Sequence, residues 1–307
     1  MALTIFVTII LPIFALIGVG VAMDRFFTLD QATLSKLNFY VFVPALIFIK
    51  TLDAKLSPAL FGTVALFSAL HMVVMFAIGW STFGLSAFRR NRPVLSLASV
   101  LSNAGNYGIP LASLAFGALG ASAMAIVVLV TNFVTFTAGL MVMDSGRSHW
   151  KDVVVGFLKV PVVWATVAAL LLITLKIDLP KPIRDPLTYL SDGLIPVALI
   201  TLGIQLSRSR LSAQLGAVSL VTFIRLIVSP VVALVMVAVW SAVAPGSIAQ
   251  VAPVLVIAAG MPVAVNVVVL SMEYKRDFGL ASQIIFATTL LSALTLTAWL
   301  LIVQSYR

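Results

Sequence analysis

Ser102-Asn103-Ala104-Gly105-Asn106-Tyr107-Gly108-Ile109-Pro110 lies in the middle of an apolar run over residues 94–117. That run is long enough to cross a bilayer. It nevertheless carries two Asn, two Gly and a Pro. Proline lacks an N–H and clashes with the preceding turn, and glycine holds helix poorly. Unsatisfied backbone in hydrocarbon costs several kcal/mol per group, so such a break survives only inside protein or beside a watery cavity. The stretch therefore predicts a helix broken at membrane depth, with Asn103 and Asn106 at the break and Gly105 and Gly108 opening it. A second stretch, Gly260-Met261-Pro262-Val263-Ala264-Val265-Asn266, predicts the same inside the apolar run 250–272.

The rest of the chain agrees with a membrane setting. Of 307 residues, 62% are hydrophobic and 9% charged, with mean hydropathy +1.17. Apolar runs recur over residues 3–23, 34–49, 59–80, 94–117, 121–143, 160–175, 187–206, 215–243, 250–272 and 278–303. This pattern predicts an all-α polytopic membrane protein with ten transmembrane helices in the lipid bilayer. The short alternating segments of a membrane β-barrel are absent. The net charge of +9 is spread over short loops, which is not a nucleic-acid surface. The chain has no cysteine, which excludes disulfides and thiolate metal sites. The first basic residue is Arg25, so the first run reads as a retained span.

Basic residues set the orientation. Twelve Lys and Arg fall in the odd-numbered loops, six in the even loops and the C-terminus, and Arg225 lies inside a span. Basic loops stay in the cytoplasm, so both termini are expected outside. A shift of 152 residues places Pro44 on Pro196, Pro93 on Pro245, Gly108 on Gly260 and Pro110 on Pro262. It carries five spans onto five spans, and an odd number inverts the second half. The expected domains are a first inverted repeat over residues 1–143, a cytoplasmic linker over 144–159 and a second inverted repeat over 160–307. Inverted repeats with crossed broken helices place a substrate site at the crossing in secondary transporters.

The chemistry follows from the breaks. Each second half-helix starts with unpaired N–H groups and roughly half a positive charge. Two such ends facing each other suit an anion. Pro110 and Pro262 fit the first turn of these half-helices, where a missing N–H costs little. Asn103, Asn106 and Asn266 carry amides for a carboxylate, and Tyr107 adds a hydroxyl or an aromatic wall. Arg225, Asp192 and His71 are the candidate counter-charge or coupling groups, because ionisable side chains inside spans are scarce. The competing assignments are structural: Arg225 snorkelling or bound to carbonyls, Asp192 at an interface, and His71 hydrogen-bonded in a core. Asn38, Asn132, Gln205 and Gln283 are amides within spans that suit helix pairing or the path. No GxSxG, HExxH, P-loop or metal-ligand cluster is present, so no enzyme, cofactor or metal is expected. Any pumping must then use a gradient.

The two break motifs, together with Ile195-Pro196 and Leu202-Gly203, resemble the auxin efflux carrier family over essentially the whole chain. That resemblance implies a PIN-like bacterial transporter with the fold of bile-acid sodium symporters, in an inner (plasma) membrane. It implies a scaffold of spans one, two, six and seven and a mobile core of spans three to five and eight to ten. It carries a substrate site onto Asn103, Pro110, Pro262 and Asn266, and implies homodimers through the scaffold. The expected activity is secondary transport of small organic anions, malonate- or malate-like carboxylates or auxin-like indole acids, by elevator-type alternating access. The rivals are a cation/proton antiporter on the same inverted-repeat fold, and a sensor or channel. The long cytoplasmic loop of plant members and the acidic sodium ligands of the bile-acid branch are absent from this sequence.

Overall fold

The computed structural model describes residues 2–27, 29–54, 57–85, 87–144, 161–208 and 214–305. All but one residue of the linker expected over 144–159 lies outside the described residues. The described chain is helical. Its elements are α1 (Leu3–Phe26), α2 (Thr33–Asp53), α3 (Ala59–Thr82), α4 (Arg92–Val100), α5 (Ala104–Met143), α6 (Pro161–Leu175) and α7 (Lys181–Ser207). They continue with α8 (Leu215–Val243), α9 (Ala252–Ala259), α10 (Asn266–Glu273) and α11 (Phe278–Gln304). Seven of these are long and apolar enough to cross a membrane among the described residues. Their outer faces are apolar: Val73, Leu171, Val235 and Leu294 are all exposed. Apolar patches of that extent call for lipid.

α5 is a folded-back pair of legs. At Gly117 the backbone takes φ 68° and ψ −152°, a region open essentially to glycine alone. Gly105 then lies against Val128, Gly108 against Met124, and Gly120 against Ala112. These contacts run antiparallel about residue 117, where the sequence also ends one apolar run.

Four prolines follow a widened helical turn. π-Helical turns at Phe6–Ile10, Asn38–Phe42, Ala104–Gly108 and Ile224–Val228 each end two residues before a proline: Pro12, Pro44, Pro110 and Pro230. A proline ring clashes with the carbonyl four residues back, and a widened turn makes room. The carbonyl that Pro230 cannot serve is Leu226, and Trp299 Nε1–H donates to it instead at 2.9 Å.

α7 packs on α1 and α2, and α6 packs on α2, while α3, α4, α8, α9 and α11 form a second packed set with α5, which α2 also meets. Within the first set α1 and α7 cross almost backbone to backbone. A Cβ on Gly203 would sit 2.0 Å from the Ile17 carbonyl oxygen, and one on Gly20 2.1 Å from that of Ile200. Ion pairs close both ends of α7. Arg208 grips Asp24 at the end of α1 through Nε at 3.0 Å and Nη2 at 2.5 Å, and this contact holds the Arg208 guanidinium above its ordinary range. Arg184 pairs with Asp53, and Lys50 with Asp192 at 3.7 Å.

The 152-residue register does not align the broken helices. Pro93 opens α4 and Pro253 opens α9, a shift of 160, and Val94-Leu95 then matches Val254-Leu255. Gly108 lies after its break and Gly260 before its own. Only the pair Pro44 and Pro196 keeps the shorter shift inside comparable helices, α2 and α7.

The glycine crossing is testable. Overpacking costs about 1–3 kcal/mol, so Gly203→Ala should lower the thermal midpoint of the purified protein clearly. Gly18→Ala, where a Cβ meets nothing within 4 Å, should leave it unchanged. Equal midpoints for both would contradict the close crossing.

Candidate functional site

The two breaks meet. Asn103 N–H donates to the Pro262 carbonyl and Ala264 N–H to the Leu101 carbonyl, both at 2.8 Å. Ser102 and Val263 thereby form an antiparallel β-bridge. α4 and α9 end at this bridge, and the second half-helices leave from it, at Ala104 and Asn266. Extended backbone inside a helical bundle leaves polar groups without helical partners, and here the two links serve each other. Val263 N–H is taken up by Thr288 Oγ1 at 3.2 Å.

One side of the bridge faces a cavity of about 310 Å³. Ala104, Gly105 and Asn106 from the first break line it, with Ala264, Val265 and Asn266 from the second. The N-terminal ends of two half-helices thus border one space, each contributing part of a positive charge. Asn103 lines it as well and is 5% exposed. Its Nδ2 has no hydrogen-bond partner among the described residues, and its side chain does not cap the helix it precedes. A buried amide without a partner costs about 1–3 kcal/mol, a penalty that a ligand at this position removes. Asn38, Asn132 and Gln205 complete a wall of amides, and Asn38 Nδ2 is held by Thr201 Oγ1 at 3.2 Å. Exposed Lys36 is the one charged side chain, and there is no carboxylate, among the described residues that line the cavity.

Of the residues singled out in the sequence, Asn103, Asn106, Asn266 and Gly105 are brought together here with the span amides Asn38, Asn132 and Gln205. Tyr107 turns the other way: it is fully buried, accepts from Ser292 Oγ at 3.2 Å and meets the Phe14 ring edge-on. Gly108 packs on Met124 beside it. Pro110 is buried in the first α-helical turn after the π turn. Pro262 departs from expectation. It lies ahead of α10, in the extended link, where its carbonyl serves the bridge and its missing N–H is no loss. Gly260 ends α9.

The ionisable candidates lie elsewhere. Arg225 is 1% exposed and donates to the carbonyls of Ser99, Val100, Ala258 and Met261 at 2.9–3.3 Å, and to Ser229 Oγ at 3.2 Å. Among the structural assignments this is the binding of carbonyls. His71 Nε2 donates to the Ser229 carbonyl at 3.1 Å, so its ring is part of the same buried cluster. Asp192, with its side chain 64% exposed, is paired with Lys50 in the α2–α7 contact. In the sequence Lys36 counts only among the twelve basic residues of the odd-numbered loops; the structure places it in the first turns of α2, and nothing local marks a lysine as the rim of a cavity.

With this geometry in place, comparison with known proteins decides the family. A profile of the family described as "Membrane transport protein" matches residues 5–153 and 147–300. The chain belongs to this family. It is the auxin efflux carrier family whose motifs the two breaks resemble. Among its relatives is a protein of Rhizobium meliloti (strain 1021) named "Putative malonate transporter", 28% identical over 97% of this chain and 95% of its own length. An "Uncharacterized transporter" of Methanothermobacter thermautotrophicus is 26% identical over 88% of each chain. Membership makes the chain a multi-pass membrane protein of a transport family, in keeping with its apolar helices.

The unpartnered amide gives a stability prediction. Asn103→Leu should leave the thermal midpoint unchanged or raise it, because no protein hydrogen bond to Nδ2 is lost. Ser229→Ala should lower it, because a loss of about 1–2 kcal/mol of stability follows when the Ser229 Oγ bond to the Ala259 carbonyl at 2.8 Å is removed. A large loss for Asn103→Leu would show that the amide holds the fold.

Proposed function

We propose that this chain is a secondary transporter of small organic anions, malonate- or malate-like carboxylates or auxin-like indole acids. The observation that carries the reading is the make-up of the cavity at the crossing. It is bordered by two half-helix N-termini and lined by amides, with Lys36 at its rim and no carboxylate among the described lining residues. Amide N–H groups and helix N-termini stabilise a carboxylate without a fixed cation beside it. Its volume of about 310 Å³ lies at the small end of ligand pockets. In this reading Asn103 and Asn266 bind the carboxylate, Asn106 supports them, and Lys36 draws in a second charge. The name carried by the Rhizobium relative favours a dicarboxylate.

The transport cycle we propose is an elevator. The spans form two inverted five-helix repeats, with α5 counted as two crossings and each broken helix as one. α1, α2, α6 and α7 act as the scaffold, stiffened by the glycine crossing and the ion pairs, and serve as the homodimer contact. The remaining helices carry the crossing across the inner membrane as a unit. With both termini outside, the start of α2, where Lys36 lies, is on the cytoplasmic side, and the cavity opens toward the cytoplasm in this reading. A negative-inside potential then drives export of an anion by about 2.3 kcal/mol per charge per 100 mV. The antiporter rival gains no support, since Asp192 and His71 stand apart and neither lines the cavity.

Counterflow in proteoliposomes tests the proposal. Labelled malonate, malate and indole-3-acetate should include at least one acid that shows saturable exchange. Charge-assisted hydrogen bonds are worth about 1.5–3 kcal/mol each. Asn103→Ala with Asn266→Ala should therefore reduce exchange at low substrate by about tenfold or more, with the protein still folded. Lys36→Gln should raise the KM by a smaller factor, most for the dicarboxylates, and the difference should shrink at high salt. If none of these acids moves under any ion gradient, the organic-anion assignment fails and cation exchange is the next activity to measure.

A further inference from the structure

The side of the crossing opposite the cavity holds an arrangement that the anion site does not use. α4 and α9 end there, and the last carbonyls of a helix have no partners within it. Each C-terminus also carries roughly half a negative charge. Ser99 and Val100 carbonyls from α4 and the Ala258 carbonyl from α9 converge, together with Met261 from the link. In secondary transporters, unwound carbonyls and half-helix C-termini of this kind coordinate inorganic cations. Here one guanidinium fills the place and bonds to all four carbonyls. Ser229 adds a second tie, accepting from Arg225 at 3.2 Å and donating to Ala259 at 2.8 Å. The two half-charges together match the single charge of Arg225, which donates to no carboxylate among the described residues.

We propose that Arg225 is the resident cation of the crossing, standing where a bound metal cation would otherwise be needed and positioning the anion site through the backbone bridge. The link is short. Arg225 holds the carbonyls of Val100 and Met261, and Leu101 and Pro262 are the next residues of the two bridge strands. Asn103 and Ala264 therefore take their places from the guanidinium. The claim builds on the anion-site reading for its effect on transport, but its effect on the crossing itself stands alone. Arg225 is a positioning residue: it lies behind the bridge and touches no substrate.

Chemical rescue is the test. In Arg225→Ala the thermal midpoint should fall, and millimolar guanidinium should raise it again, while tetramethylammonium at equal ionic strength should not. Counterflow of whichever acid the wild type carries should drop by about tenfold or more and recover in parallel with the midpoint. Loss of the midpoint with no recovery in guanidinium would overturn the proposal, as would an unchanged midpoint. If Arg225→Ala gives no folded protein, Arg225→Lys and Arg225→Met decide: Lys should be the more stable, and Lys no better than Met would overturn the claim. Should no organic acid move in any preparation, the guanidinium-dependent midpoint still reads the role of Arg225, so the two failures are distinguishable.

Discussion

Two backbone hydrogen bonds, from Asn103 to Pro262 and from Ala264 to Leu101, are what the rest of this molecule is arranged to permit. A helix interrupted inside hydrocarbon exposes N–H and C=O groups that lipid cannot satisfy. Placing two interruptions side by side lets each supply what the other lacks. The remaining orphan groups fall into two classes on two sides. The first N–H groups of the second half-helices border the cavity, and the last carbonyls of α4 and α9 meet Arg225. The crossing thus separates charge, with half-helix N-termini on one face and a buried guanidinium on the other, joined by one short bridge.

This separation explains why so few ionisable groups suffice. Only 9% of the residues are charged, and most sit in loops or in the ion pairs that tie α7 to α1 and α2. Polarity at depth comes from backbone and amides. Backbone dipoles need no proton and no counter-ion of their own, and they are held rigidly by the helices that carry them. Half-helix N-termini and amides keep their polarity across a wide pH range, because none of them titrates there.

Much of this was legible in the sequence, and the reason is physical. Gly, Pro and Asn inside an apolar run have few meanings in a bilayer, so both breaks and the amides Asn103, Asn106 and Asn266 stood out. The turn at Gly117 coincides with the end of an apolar run for the same reason. Other features left no local mark. Tyr107 is adjacent to Asn106, but one residue turns a helix by about 100°, and that rotation carries its ring to Phe14 and Ser292 instead of the cavity. The partners of Arg225 are main-chain carbonyls, which every residue has. The 152-residue register failed at the breaks because prolines both kink continuous helices, as in α2 and α7, and open half-helices, as at Pro93 and Pro253. A coincidence of prolines does not tell these uses apart, whereas the local match of Val94-Leu95 to Val254-Leu255 does.

The most direct measurement of the central claim is an experimental structure of the protein soaked with malonate at saturating concentration. The account predicts density for one carboxylate between the Ala104–Asn106 turn and Val265-Asn266, within hydrogen-bond reach of Asn103 Nδ2. A second carboxylate would point toward Lys36. Malonate bound behind the bridge at Arg225, or at a surface remote from the crossing with the cavity empty, would contradict it.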